Sequence, residues 1–337
     1  EPDEAQLCAM LRASCKRLNR YGITSCQSDD YETFPGVPYK TVQKLLRTPG
    51  LMTVRVNEQA QFTNVEALSE YIESGDAYFE DDMFRAGPLK IISDGSLGAR
   101  TACLSRPYAD DENARGIPLY TNAELNGLIS LANEKGLSVA VHAIGDGAVE
   151  MCLNAIENAR REMPHLHPRH GIVHCQITDK EQVERFKELD VIAYIQPVFI
   201  NYDMHIVYDR VGKELGSTSY AWADYIRLGV HAPFGTDCPV ESFRPLPGIY
   251  CAVTSRDLNG SGPFLPQQIL DRETALYCYS AQGAYCTGEE GVKGKIKEGM
   301  YADFIVLDTD LVNCTDMEIL EAKVLRTFVG GKCVYKR

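Results

Sequence analysis

No apolar run in the 337-residue chain approaches the roughly 20 residues that a membrane-spanning helix requires. Positive charge is scarce: 34 Lys and Arg stand against 47 Asp and Glu, a net charge of −13. That balance excludes non-specific binding to nucleic acid or to an anionic membrane. The 12 cysteines include no C-x-x-C pair, which removes redox and zinc-ribbon motifs and argues against a disulfide framework in a chain of this size. Reduced thiols predict a cytoplasmic protein. Neither an internal repeat nor a low-complexity linker is visible. What remains is ordinary globular composition, 45% hydrophobic and 24% charged, long enough for one α/β barrel of about 250 residues with some chain to spare.

The chain is organised around residues 137–147, LSVAVHAIGDG. Residues 138–141 are a short apolar, β-branched run, the pattern of a strand buried on both faces. The run stops at His142, and Gly145 and Gly147 open an amphipathic helix. A strand that delivers a histidine at its carboxyl end places it where parallel α/β proteins hold ligands. The same construction recurs. Residues 23–27, 51–56, 89–93, 171–175, 191–195 and 230–235 also read as strands, most of them followed by a helix. Helices are expected over 3–20, 40–46, 65–72, 220–228 and 272–285, with Thr121-x-x-Glu124 and Thr178-x-x-Glu181 as capping boxes of two more. Seven such strands predict a parallel α/β barrel over residues 1–290, one strand short of eight. After Gly291, KGKIKEGMYADFIVLD and KVLRTFVGGKCVYK alternate with period two around glycines, so residues 291–337 read as two hairpins that must pack on other strands.

Four strands carry Lys90, His142, His174 and Asp237 at or near their carboxyl ends. Two imidazoles, a carboxylate and a lysine that converge there can hold a divalent ion, which polarises a carbonyl and lowers the pKa of its water toward neutrality. Unmodified lysine is a poor ligand. Desolvated and neutral, it can add carbon dioxide, and the carbamate offers two oxygens that can bridge metals. Asp237 is placed to serve as general base. The plainer alternative is a buried Lys90–Asp237 ion pair beside two core histidines.

KIISDGSLGARTA (90–102), VHAIGDGA (141–148), IVHCQ (172–176), FGTDCPVE (234–241) and GKIKEGMYADFIVLD (294–308) resemble successive blocks of the amidohydrolase superfamily. The likeness is to its YtcJ-like, N-substituted formamide deformylase branch, amidohydrolase family 3, and runs from about residue 21 to the end. It implies a metal-dependent (β/α)8 TIM-type barrel beside a small β-sandwich, of which residues 291–337 would be a part. It also implies two divalent metals, zinc expected, with Lys90 as the carboxylated bridging lysine. His142 and His174 would be ligands of the second metal, and Asp237 ligand and base. The family's H-x-H at the end of strand one has no counterpart here. His165-Leu166-His167 lies between a helix and the next strand, on the opposite rim. The resemblance therefore implies a chain that begins inside the first barrel helix, lacks strand one, holds one metal or none, and is inactive by itself.

Asp94, Ser96, Arg100 and Thr101, in the loop after Lys90, are expected to meet polar groups of a small-molecule substrate, with Gln176 and Gln196 at strand ends. A long loop at 199–208, with Tyr202, Asp203, His205 and Tyr208, is expected to cover the site. His170 and His231 face the far rim and read as structural. Cys175 and Cys238 have no basic neighbour to activate them. The function expected is hydrolysis of an amide-type C–N bond. The alternative is a binding or regulatory protein on the same barrel, as in relatives described as exoenzyme regulators. The exposed seam where strand one should lie suggests a homodimer.

Overall fold

In the computed structural model, which describes every residue except 32, 35 and 63, six strands pair in parallel in chain order. They are β1 (Ser25–Ser28), β2 (Arg55–Gln61), β3 (Phe84–Ile92), β4 (Val139–Ala143), β5 (Gly171–His174) and β6 (Ile192–Tyr194). Parallel neighbours need crossovers. Helices Tyr39–Leu46, Val65–Glu73, Asn122–Glu134, Asp146–Glu162 and Lys180–Glu188 supply them in turn.

Period two decides which side chains go where. Leu89, Ile91, Val139, Val141, Ala143, Ile172 and Ala193 join the large apolar layer between sheet and helices. Ala140, Val173, Ile192 and Tyr194 meet Cys286 in a second cluster on the other face. Lys90 and His142, one residue out of step with Ile91 and Val141, therefore project to that inner face. The sheet curls around it, so that Lys90 on β3 acts electrostatically on Asp237, far along the chain.

The expected seventh strand, 230–235, lies beside β6 without forming a ladder. The amides of Ala193 and Ile195 donate to the carbonyls of His231 and Pro233, and Gly235 donates back to Ile195. Pro233 has no N–H to give, and only the isolated bridge Ile195–Phe234 remains. Strand β2 lies later than the expected 51–56, because buried Arg55, Asn57, Glu58 and Gln59 carry the ladder through a polar stretch. Strand β3 begins at Phe84 rather than at 89. It accommodates Gly87-Pro88 through a register shift opposite Glu58 and Ala60.

Among the helices, the Thr121–Glu124 capping box forms. The next box is Asp179–Gln182, not Thr178–Glu181; Thr178 is buried one residue earlier. The expected helix 272–285 is two, Arg272–Tyr279 and Ala281–Cys286, broken at Ser280 (φ −121°, ψ −83°). The expected loop at 199–208 is mostly helical: Pro197–Phe199, Ile200–Asp203 and Val207–Gly216 follow one another.

Instead of two hairpins, the C-terminal stretch forms one three-stranded antiparallel sheet, β7 (Phe304–Leu307), β8 (Val324–Val329) and β9 (Lys332–Lys336). Gly330 and Gly331, at φ +55° and +77°, make the β8–β9 turn, where a primed turn needs left-handed residues. Asp303 pairs in a bidentate contact with Arg55 on β2, at 2.6 and 3.1 Å. Thr327 Oγ1 donates to the Asn19 carbonyl at the end of helix Glu4–Arg20. These contacts pin the small sheet to the large one. Among the described residues, no helix is long and apolar enough to cross a membrane.

Candidate metal centre

His142, on the inner face of β4, and His174, the last residue of β5, meet at the carboxyl end of the sheet. Nδ1 of His142 lies 2.9 Å from Nε2 of His174, with ring centroids 4.4 Å apart and nearly perpendicular. Regular alternation would turn His174 away, because Val173 already faces inward. The backbone breaks the alternation: His174 and Cys175 adopt φ of +81° and +47°, a left-handed conformation uncommon for residues with a Cβ. Strain of this kind persists where the surroundings enforce it, often at functional sites.

The partners of the outer nitrogens assign the tautomers. Gln196 donates Nε2–H to the Tyr194 carbonyl, which aims Oε1 at His174 Nδ1, 2.9 Å away. His174 therefore carries its hydrogen on Nδ1 and leaves Nε2 a lone pair. Nε2 of His142 faces two acceptors, the Gly95 carbonyl at 3.1 Å and Asp94 Oδ1 at 3.2 Å, so its Nδ1 is likewise a lone pair. Two lone pairs thus confront each other. A proton or a cation must lie between them. Burial, then the charges of His142 and Lys90, hold the His174 imidazole far below its ordinary basicity, which keeps Nε2 a free lone pair on that ring. The donor set fits a divalent cation, each imidazole oriented by an acceptor on its far nitrogen.

Lys90 is buried on β3, its Nζ 3.9 Å from Asp29 Oδ2. Asp237 follows the Pro233 segment at φ +55°. Burial raises its pKa, while Lys90 and then His142 pull it back down and Asp29 adds repulsion. The two imidazoles touch, whereas among the described residues neither Lys90 nor Asp237 forms a hydrogen bond or ion pair with them. Among the described residues, no three His, Cys, Asp or Glu side chains gather to hold a metal ion. A third ligand beside the imidazoles would have to come from a modified Lys90. Asp29 was passed over in the sequence. Its position directly after a strand was the available signal.

The residues expected to meet substrate have varied surroundings. Both oxygens of Asp94 are engaged: Oδ1 accepts from Ile144 N–H, and Oδ2 from Gly145 and Cys103 N–H. Gly145 permits this docking, since a Cβ there would fall 2.0 Å from the Cys103 carbonyl oxygen. Arg100 is held by Asp110 in a bidentate pair, and Asp110 also binds Arg210. Ser96, exposed, closes its own turn with Thr101. Gln196 orients His174. Gln176 reaches Asp203 and Tyr220, a pair that the sequence reading left unconnected. Phe199 stacks on the His174 ring at 5.7 Å. His165 and His167 are exposed at the opposite end of β5, and His170 is buried there with both nitrogens partnered, by Val139 N–H and Asn133 Oδ1. The thiols of Cys175 and Cys152 are pushed up by burial, so neither is activated.

Comparison with known proteins adds to this geometry. The chain is 34% identical to the putative amidohydrolase YtcJ of Bacillus subtilis over 97% of its own length and 61% of that protein's. It is 25% identical to the N-substituted formamide deformylase of Arthrobacter pascens, over 77% of the chain and 47% of that enzyme. An uncharacterized metal-dependent hydrolase from Pyrococcus horikoshii superposes with a TM-score of 0.82 at 27% identity, covering 94% of the chain and 62% of that structure. The chain thus spans between 47% and 62% of the length of these three proteins. The family model described as "Amidohydrolase family" matches residues 1–335, and the chain belongs to that family.

Proposed function

We propose that this chain carries part of the active site of a metal-dependent hydrolase that cleaves amide-type C–N bonds. The observation that carries the reading is the approach of His142 Nδ1 to His174 Nε2, 2.9 Å apart, with an acceptor on the far nitrogen of each ring. His142 and His174 would hold a divalent cation, zinc being suited to two neutral imidazoles, and a carboxylated Lys90 would complete its ligands. When bound, the ion supplies Lewis acidity for the amide carbonyl and for water.

The chain's own groups do the rest. Asp94 and Gln196 fix the imidazoles. Phe199 covers one face of His174 and excludes water from it. Asp237, a carboxylate made more basic by burial yet kept available by Lys90, takes a proton from the attacking water and returns it to the leaving nitrogen. Family membership and the metal-dependent hydrolase likeness support the class of reaction.

The whole enzyme would hold a second metal, with residues 1–290 forming its barrel and 291–337 part of a sandwich. In the test, the zinc-supplemented chain and its longer natural form are assayed for metal and for amine release from simple amides. Lys90→Ala and His142→Ala should lose both metal and amine release; retained metal in both variants would refute the site. A second reading, a binding protein on this barrel, draws on His165 and His167 lying far from the mouth. Metal bound without turnover in the longer form would favour it.

A further inference from the structure

Near the histidine pair lies a carboxylate that no cationic side chain neutralises among the described residues. Gln176, two positions past His174, donates Nε2–H to Asp203 Oδ2 at 2.7 Å, and Tyr220 Oη donates to the same oxygen at 2.9 Å. Oδ1 of Asp203 receives no hydrogen bond among the described residues. Only 5% of Gln176 is exposed, and its Oε1 is buried without a partner although the amide is directed into this cluster. The backbone holds the arrangement: Tyr220, at φ +51°, donates its N–H to the Gln176 carbonyl at 2.8 Å.

Asp203 ends the short helix that follows Phe199, the residue stacked on His174, and it lies within electrostatic reach of Glu241, four residues beyond Asp237. Gln176 thus ties the β5 end to Asp203, and the charge of Glu241 couples Asp203 to the segment after Asp237. Burial, then Glu241, lift the Asp203 pKa to about 6 against the bond from Tyr220. Among the described residues no Lys, Arg or His forms an ion pair with Asp203 or Glu241. Two carboxylates that repel one another and an orphaned amide oxygen lack one thing, a cationic group that donates hydrogen bonds.

We propose that Asp203, Glu241 and the Gln176 carbonyl oxygen form a subsite for a protonated amine on the substrate, set apart from the bond that is cleaved. The inference rests on the hydrolase reading for its substrate but not for the subsite. Its test is calorimetric binding of two probes to the zinc-supplemented chain: N-formylputrescine, which is cationic, and the neutral, similarly sized N-pentylformamide. Formate release is followed in parallel.

The cationic amide should bind about tenfold tighter, the scale of one charge-assisted contact. Asp203→Asn should bring that ratio to about one, and Glu241→Gln should cut it about threefold. Should Asp203→Asn not fold, Glu241→Gln decides. Equal affinity for the two probes, no binding of either, or a preference that survives these substitutions overturns the proposal. A preference for the cationic probe in a chain whose Lys90→Ala and His142→Ala variants both keep their zinc upholds the subsite and refutes the hydrolase reading.

Discussion

Two sets of histidines at opposite ends of the same strands have opposite surroundings. At the amino end of β5, His170 is buried with both ring nitrogens paired. At the carboxyl end, His142 and His174 are each paired on one side only, and their remaining lone pairs meet. The residue type is the same and so is the sheet. Satisfaction of every polar atom marks a histidine that holds the fold together. Two acceptors forced face to face mark a place prepared for something else.

The sharpest way to break the contrast is Asp94→Ala. It strands the N–H groups of Cys103, Ile144 and Gly145 and frees the His142 ring at once. The expected result is a loss of about 3 kcal/mol in chemical unfolding and about a hundredfold weaker zinc binding. Intact zinc affinity would mean that Asp94 serves the loop alone.

His170→Ala should be nearly as damaging to stability, about 2–4 kcal/mol, and should leave zinc affinity unchanged. Acid sharpens the same point. Burial depresses the His170 pKa from 6.5 to about 3. The unfolded chain therefore binds the proton first, and stability that is complete above pH 6.5 drains away as pH falls toward 3. His174, depressed in the same direction, adds to this. Urea melts across that window should show the slope, reduced in His170→Gln; an unchanged slope would contradict the assignment.

Gln196→Leu should weaken zinc by about tenfold while leaving the fold intact, because it removes only the acceptor that sets the His174 tautomer. Smallest of all, alanine at the exposed His165 and His167 should change neither zinc content nor stability beyond about 0.5 kcal/mol.

Much of this contrast was legible in the sequence, because strand ends follow from short apolar runs. VAVHA and GIVH announce both a buried strand and a histidine where it stops. The polar strand β2, RVNEQAQ, could not be read this way. Its side chains find their partners far along the chain: Arg55 pairs with Asp303, Asn57 accepts from Gln27 and Glu58 Oε1 accepts from the Asp30 N–H, while Glu58 Oε2 has no partner among the described residues. The seventh strand was legible as an extended segment but not as a failed ladder, which depends on the single missing donor of Pro233. Segment 199–208 reads as a loop because the helical turns that open it, Pro197–Phe199 and Ile200–Asp203, are only three and four residues long and the longer helix starts at Val207. Within the site, the residue types were readable and their partners were not. That Gln196 orients His174, that Asp94 steadies His142, and that Gln176 joins Asp203 to Tyr220 are facts of tertiary approach. No periodicity encodes them.

The central claim is that His142 Nδ1 and His174 Nε2 share a divalent cation. Zinc titration of the chain by calorimetry, with metal analysis after gel filtration, tests it most directly. The account predicts saturable binding that is lost in His142→Ala and in His174→Ala, but kept in the His165→Ala, His167→Ala double variant. Zinc that fails to bind the unaltered chain, or that binds the first two variants equally well, would contradict it.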